Sequence, residues 1–141
     1  MGELRYADIK VGDKATFSKT VSEADIKTFA DVSGDFNPVH IDEEFAKKGL
    51  FKTRIAHGFL VGSLISTVLG TKLPGPNTIY LSQEMQFKAP VKIGDTITAE
   101  CEVLEKSDKK KILKMKTTVY NQASIAVIEG TATVMKYEVA T

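Results

Sequence analysis

The amino-acid sequence predicts an α+β domain in which an antiparallel β-sheet wraps around one long, buried α-helix. First, helical signals precede Pro74-Gly75-Pro76 and strand signals follow it. Second, the run Gly58–Leu69 is apolar or small on nearly every face, the pattern of a helix surrounded by protein. Third, the 141 residues are enough for one domain with a real core, so residues 1–141 are predicted to form a single domain.

The first half of the chain predicts an edge strand followed by short helices. The strand covers about Ala15–Val21. Ser22 and Asp25 then have the spacing of a capping box, and the helix that they start ends near Ser33-Gly34. The segment Asp35–His40 is expected to be a compact loop stiffened by its proline.

A brief helix, a long helix and four strands complete the prediction. Asp42 can cap the brief helix, which Gly49 ends. The buried helix would be roughly 18 Å long. Four later segments are rich in Thr, Val, Ile and Tyr and are predicted strands: Thr78–Lys88, Asp95–Lys106, Lys111–Tyr120 and Ser124–Tyr137. Short reversals near residues 94–95, 107–108 and 121–122 predict antiparallel neighbours.

Composition excludes several classes of partner. With 19 basic and 18 acidic residues the net charge is +1, which does not suit a dedicated nucleic-acid binder. Met1–Lys14 lacks the apolar segment of a signal peptide, and no apolar run is long enough to cross a bilayer. The lone Cys101 fits a reducing compartment. A cytoplasmic protein with a small-molecule partner, no nucleic acid and no membrane is therefore expected.

Asp35 and His40 are the candidate catalytic residues. Taken alone, Asp35 is more simply a turn cap and His40 a partly buried histidine bonded to a carbonyl. Together they place two ionisable groups five positions apart on a proline-stiffened segment that precedes a helix start. That combination favours catalysis, in which the pair would activate a water molecule.

His57 and Gly58 stand where the buried helix begins. The free N–H groups of a first helical turn can stabilise an oxyanion, and glycine allows an oxygen to come close. Tight packing of the helix against the sheet explains Gly58 equally well. His57 is predicted to support the turn. Because metal-ligand spacings, phosphate loops and dinucleotide fingerprints are missing, no metal and no redox cofactor are expected.

Several motifs together resemble the MaoC-like (R)-specific enoyl-CoA hydratases. The resemblance rests on Asp35-Phe36-Asn37-Pro38-Val39-His40, Ile55-Ala56-His57-Gly58-Phe59, Leu73-Pro74-Gly75, Ile79-Tyr80-Leu81, Phe87-Lys88-Ala89-Pro90-Val91 and Gly94-Asp95. It covers most of the chain. It implies the hot-dog fold, a long helix wrapped by an antiparallel sheet, and a homodimer whose sheets join edge to edge.

The resemblance also implies a reaction and a set of site residues. The reaction is reversible hydration of trans-2-enoyl-CoA to (R)-3-hydroxyacyl-CoA, with coenzyme A as part of the substrate and no separate cofactor. Asp35 and His40 would hold and activate water, and the Gly58 N–H would bind the thioester oxygen. The remaining predicted residues are Asn37, His57 and Ser66 for substrate binding and Leu64, Leu69 and Val134 for the acyl pocket.

Alternatives remain open at this point. The same residues would serve a dehydratase acting on (R)-3-hydroxyacyl groups of acyl carrier protein. A thioesterase or a non-catalytic acyl-CoA sensor could share the fold. The basic residues Lys109-Lys110-Lys111, and Lys47, Lys48, Lys52 and Arg54, are most simply solvated, or they meet the phosphates of coenzyme A.

Overall fold

A computed structural model describes residues 4–139 of the chain. A short 3-10 turn, Tyr6–Asp8, precedes the first strand. The helices are α1 (Glu23–Ser33), α2 (Pro38–Ile41), α3 (Glu43–Lys47) and α4 (Gly58–Thr71). The strands are β1 (Lys14–Thr20), β2 (Thr78–Phe87), β3 (Thr96–Ser107), β4 (Ile112–Tyr120) and β5 (Ala126–Lys136). The predicted elements are all present, with ends shifted by one or two residues at most places.

The five strands form one antiparallel sheet in the order β1-β3-β4-β5-β2. β3, β4 and β5 are consecutive neighbours, as their short reversals predict. The prediction is wrong for the reversal at Gly94-Asp95, because β2 pairs with β5 and not with β3. Segment 88–95 is long enough to carry the chain away from β2, and its Val91 carbonyl accepts a hydrogen bond from Ala56 N–H at 2.7 Å.

α4 lies against the inner face of this sheet and contacts β1, β2, β3 and β4. Its apolar residues Val61, Leu64, Ile65, Val68 and Leu69 are all buried in one cluster with the inward side chains of the strands. The predicted hot-dog arrangement is therefore confirmed. Within residues 4–139, every helix is too short or too polar to span a membrane.

α1 is fixed at both ends by its own sequence. Ser22 Oγ accepts from Asp25 N–H at 3.1 Å, and Asp25 Oδ2 accepts from Ser22 N–H at 2.9 Å, which is the predicted capping box. The hydrogen bond from the Ser22 backbone holds the pKa of Asp25 below its usual value. Gly34 ends the helix with a left-handed φ of 79°. The chain therefore enters Asp35 from a defined direction.

The segment after Asp35 differs in one respect from the predicted loop. Pro38–Ile41 forms a single helical turn, α2, because proline occupies its first position and Asn37 Oδ1 caps it by accepting from Val39 N–H at 3.2 Å. This turn aims His40 into the protein, where it is 8% exposed.

Candidate active site

The two histidine-bearing segments are joined by a reciprocal pair of hydrogen bonds. His57 Nε2–H donates to the backbone carbonyl of Asp35 at 2.9 Å, and His40 Nδ1–H donates to the carbonyl of Ile55 at 2.8 Å. Ile55 N–H also donates to the Val39 carbonyl at 3.2 Å. Each segment thus supplies one ring and one carbonyl to the other.

The two rings themselves stack. The centroids of His40 and His57 are 3.9 Å apart with an interplanar angle of 27°, and the ring centroid of Phe29 lies 4.9 Å from that of His57. His57 is 2% exposed. Its Nδ1 is buried without a hydrogen-bond partner among the described residues. His57 therefore acts as a scaffold between α1 and His40.

These contacts determine which atom of His40 is available for chemistry. A carbonyl only accepts, so His40 Nδ1 carries the hydrogen and Nε2 has the lone pair when the ring is neutral. One carboxylate oxygen of Asp35 and one ring nitrogen from each histidine lie within 4.8 Å of one another. A water molecule about 2.8 Å from each of two such atoms can bridge this separation.

Asp35 is held with part of its carboxylate free. Its Oδ1 accepts from Asn37 N–H at 3.1 Å, the turn-capping contact that its position suggests, while its own N–H donates to Ser33 Oγ at 3.1 Å. No described residue donates to Oδ2. The structural and catalytic interpretations of Asp35 are therefore compatible, since capping uses only one oxygen.

A cavity of about 580 Å³ opens beside this pair. Its volume lies within the range of ordinary small-molecule sites. Asp35, His40, His57 and Ser33 form its polar end, and Lys88 lies on its wall. The rest of the wall is largely apolar and includes Phe29, Phe51, Val61, Phe87, Val91, Val127 and Ile128. The shape and polarity suit a ligand with one polar reacting group and an apolar tail.

Gly58 lies on the cavity wall at the first turn of α4. His57 caps the helix without a side-chain hydrogen bond, and Leu60 N–H donates to the His57 carbonyl at 3.1 Å. The N–H groups of Gly58 and Phe59 have no acceptor among the described residues and can bind a ligand. The Phe87 ring occupies the space beside the glycine: a methyl group at Gly58 would lie 2.7 Å from Phe87 Cε1. Packing and access to the N–H both require glycine here.

A model of the family described as "MaoC like domain" matches residues 8–124. The chain belongs to the MaoC-like family. This MaoC-like protein is 52% identical over 130 residues to the (R)-specific enoyl-CoA hydratase of Rhodospirillum rubrum, covering 92% of this chain and 90% of that one. It is 47% identical over 102 residues to the 3-hydroxybutyryl-CoA dehydratase of Methylorubrum extorquens, covering 72% of this chain and 65% of the relative.

A solved structure agrees with these relatives. The unliganded R-hydratase of Pseudomonas aeruginosa superimposes with a TM-score of 0.90 at 46% sequence identity. The match covers 99% of this MaoC-like chain and 93% of that one. The family and the hot-dog fold are thereby shown.

Some predicted site residues of this MaoC-like protein lie away from the cavity. Asn37 caps α2 and does not line the cavity. Ser66 is exposed on α4, roughly 12 Å along the helix from Gly58. Leu64, Leu69 and Val134, predicted to form the acyl pocket, do not reach the wall because they point into the core, where their exposures are 4%, 1% and 0%.

Other wall residues were not predicted as site residues. Phe29 comes from α1, Phe87 is the last residue of β2 and Lys88 follows it, and Val127 and Ile128 come from β5. Only Gly58, which tight packing of the helix against the sheet would explain, indicated a neighbour packed on the helix start. That neighbour is Phe87. Which strand supplies it depends on the order of strands in the sheet.

Two of the basic residues predicted to be solvated, Lys47 and Arg54, form ion pairs. The Arg54 guanidinium bonds Glu23 Oε1 at 2.8 Å and lies 3.7 Å from Glu43 Oε1, and it holds the pKa of Glu23 below its usual value. Lys47 pairs with Glu44 at 3.1 Å. Arg54 thereby ties α1 and α3 to the segment that carries His57, so it serves the scaffold.

We predict that the contact between Gly58 and Phe87 is visible as energetic coupling. Gly58→Ala should lower the free energy of unfolding by about 1–3 kcal/mol because the new methyl group meets the ring. In Gly58→Ala/Phe87→Ala most of that loss should disappear, since the ring is gone. Denaturant unfolding of both single variants and the double variant measures the coupling.

The matched control is Gly70→Ala, near the other end of α4, where a methyl group would meet nothing within 4 Å. It should be neutral or stabilise the protein by up to about 1 kcal/mol. Additive effects of the Gly58 and Phe87 substitutions would show that the ring does not constrain Gly58.

Proposed function

We propose that this chain is an (R)-specific enoyl-CoA hydratase that reversibly hydrates trans-2-enoyl-CoA to (R)-3-hydroxyacyl-CoA. The observation that carries the proposal is the Asp35 carboxylate within 4.8 Å of a His40 ring nitrogen at the polar end of an apolar cavity. The relatives named above as a hydratase and a CoA dehydratase support it. Both named activities are hydro-lyase reactions.

The proposed chemistry uses the two ends of the site differently. Asp35 and His40 bind one water molecule, take its proton as the oxygen attacks C3, and deliver a proton to C2. Negative charge develops meanwhile on the thioester oxygen, which the Gly58 N–H at the start of α4 stabilises; one such donor is typically worth about a hundredfold in rate. Because water and proton come from one side of the substrate, the addition is syn. The configuration at C3 depends on which face of the double bond is turned to Asp35 and His40, and the proposal is the face that gives the R product.

The catalytic pair can be tested by substitution. Asp35→Asn keeps an oxygen that can accept from Asn37 N–H but loses the negative charge, and His40→Ala removes the ring. Each is expected to lower turnover of crotonyl-CoA by about a hundredfold or more, because general acid–base catalysis is lost. Hydration is followed by loss of enoyl-thioester absorbance and by chiral analysis of the product.

Asp31→Asn, an exposed acid on α1 outside the cavity wall, is the matched control and should retain turnover. Near-normal hydration by Asp35→Asn, or an S product from the wild-type chain, would refute the proposal. Matched carrier-protein thioesters distinguish an acyl-carrier-protein dehydratase, and release of free thiol reveals a thioesterase.

We propose that hydration needs no metal and no separate cofactor. Asp35, His40 and His57 cluster closely enough to raise the question of a metal. However, His40 Nδ1 and His57 Nε2 already donate to backbone carbonyls, and a nitrogen that donates its hydrogen has no lone pair for a metal. Turnover should be unchanged after dialysis against EDTA, and metal analysis of the active protein should find substoichiometric zinc. Loss of turnover that zinc restores would contradict this.

We also propose a homodimer joined through β2. This ten-residue strand pairs with β5 on one side only and is an edge of the sheet. Exposed edges of this length template further pairing. Exposed apolar side chains also cluster on β2 and the start of α4, namely Ile79, Tyr80, Leu81, Phe87 and Phe59. A second copy of the chain would cover both the open edge of β2 and these apolar side chains.

Light scattering after size exclusion should give about twice the 15.4 kDa of one chain. Leu81→Lys should shift this value toward one chain, since a charge on an edge strand opposes pairing. Leu104→Lys, a similarly half-exposed leucine on β3, is the control and should stay dimeric. A wild-type mass of one chain would rule out the dimer.

A cytoplasmic location is proposed on the state of Cys101, which is fully buried with its pKa raised to about 12 by burial. Such a thiol needs no partner and suits a reducing compartment.

A further inference from the structure

We propose that Met85 sets the length of the acyl chain that the cavity accepts. This inference rests on the proposed function, because it concerns the acyl tail of the same substrate. Met85 is not on the cavity wall. Its thioether end packs at Gly62, beside the wall residue Ile128.

One face of α4 has glycine at two successive turns, which leaves a groove between their neighbours. Gly58 and Gly62 are four residues apart and share a face, about 6 Å from each other along the axis. Phe87 and Met85 are two residues apart on β2 and share a face at nearly the same spacing. The groove left by the two glycines therefore faces two successive inward side chains of β2.

The two positions along this groove differ in what occupies them. At Gly58 the Phe87 ring forms a cavity wall. At Gly62 the thioether end of Met85 fills the groove: a methyl group there would lie 3.2 Å from both Sδ and Cε, and 3.7 Å from Cδ1 of the wall residue Ile128. Met85 thus closes the continuation of the cavity past Ile128.

The chemistry of the next position indicates how far an opened groove could extend. Two residues earlier on β2, Gln83 donates its amide to Thr117 Oγ1 at 2.9 Å and to the Glu84 carbonyl at 2.8 Å. Thr117 is fully buried. An apolar tail gains nothing against these polar groups, so Met85 separates a short apolar cavity from a polar interior.

The space that Met85 fills can be enlarged or reduced by substituting this residue. Its side chain is unbranched and half-buried, and it packs at the margin of the core, so truncation leaves the cluster around α4 in place. Met85→Ala removes Cγ, Sδ and Cε and makes room for roughly two methylenes beyond Ile128. Met85→Phe fills the same space with a rigid ring.

The test compares short and medium chains in wild type and variants. For Met85→Ala the ratio of kcat/KM for oct-2-enoyl-CoA to that for crotonyl-CoA should rise about tenfold or more, the discrimination that one or two methylenes typically give. For Met85→Phe the ratio should fall. Met135→Ala, a half-buried methionine outside the cavity wall, is the matched control and should keep the wild-type ratio.

A binding measurement separates this inference from the proposed function. Calorimetric titration with butyryl-CoA and octanoyl-CoA needs no turnover, and Met85→Ala should shift the ratio of their Kd values toward octanoyl-CoA by a similar factor. Thermal unfolding checks that each variant is folded. Unchanged ratios in both Met85 variants, or an equal shift in Met135→Ala, would overturn the role of Met85. Absence of crotonyl-CoA hydration with the expected binding shift would overturn only the hydratase assignment.

Discussion

The reciprocal bonding of His40 and His57 is the constraint on which the rest of the site depends. Each ring donates to a carbonyl of the other segment, and the rings stack between these bonds. Removing either ring leaves a carbonyl without its donor and opens a gap beside the other ring, so the two segments are positioned together or not at all. The arrangement also places the hydrogen of the neutral His40 ring on Nδ1 and leaves the lone pair on Nε2. The same contacts thus determine the positions of the two segments and the tautomer of His40.

Much of this arrangement follows from local sequence. The capping box at Ser22, the proline at position 38 and the glycine at position 34 act over a few residues, and the structure has each as predicted except for the extra turn of α2. Asp35, His40, His57 and Gly58 could be singled out because they lie next to such local signals. Their meeting across 22 residues of sequence depends on the hydrogen bonds between the two segments.

The apolar wall could not be predicted in the same way. It depends on β2 pairing with β5, a register between segments 48 residues apart at their first residues, Thr78 and Ala126. No local signal in β2 specifies that partner, and the reversal at Gly94-Asp95 pointed to β3. Leu64, Leu69 and Val134 were expected on the wall for their apolarity, but apolarity alone does not separate core from cavity. Their burial in the cluster around α4 places these three residues in the core.

The strand order has a consequence for how the protein is made. Both strands that come first along the chain, β1 and β2, pair with strands that come later, and β2 has no hydrogen-bonded neighbour until β5 has been synthesised. Until then α4, apolar on nearly every side, has only a partial cover. Closing such long-range pairs is intrinsically slow. From the end of α4 at Thr71 until β5 ends at Lys136, the nascent chain therefore leaves part of this apolar helix uncovered.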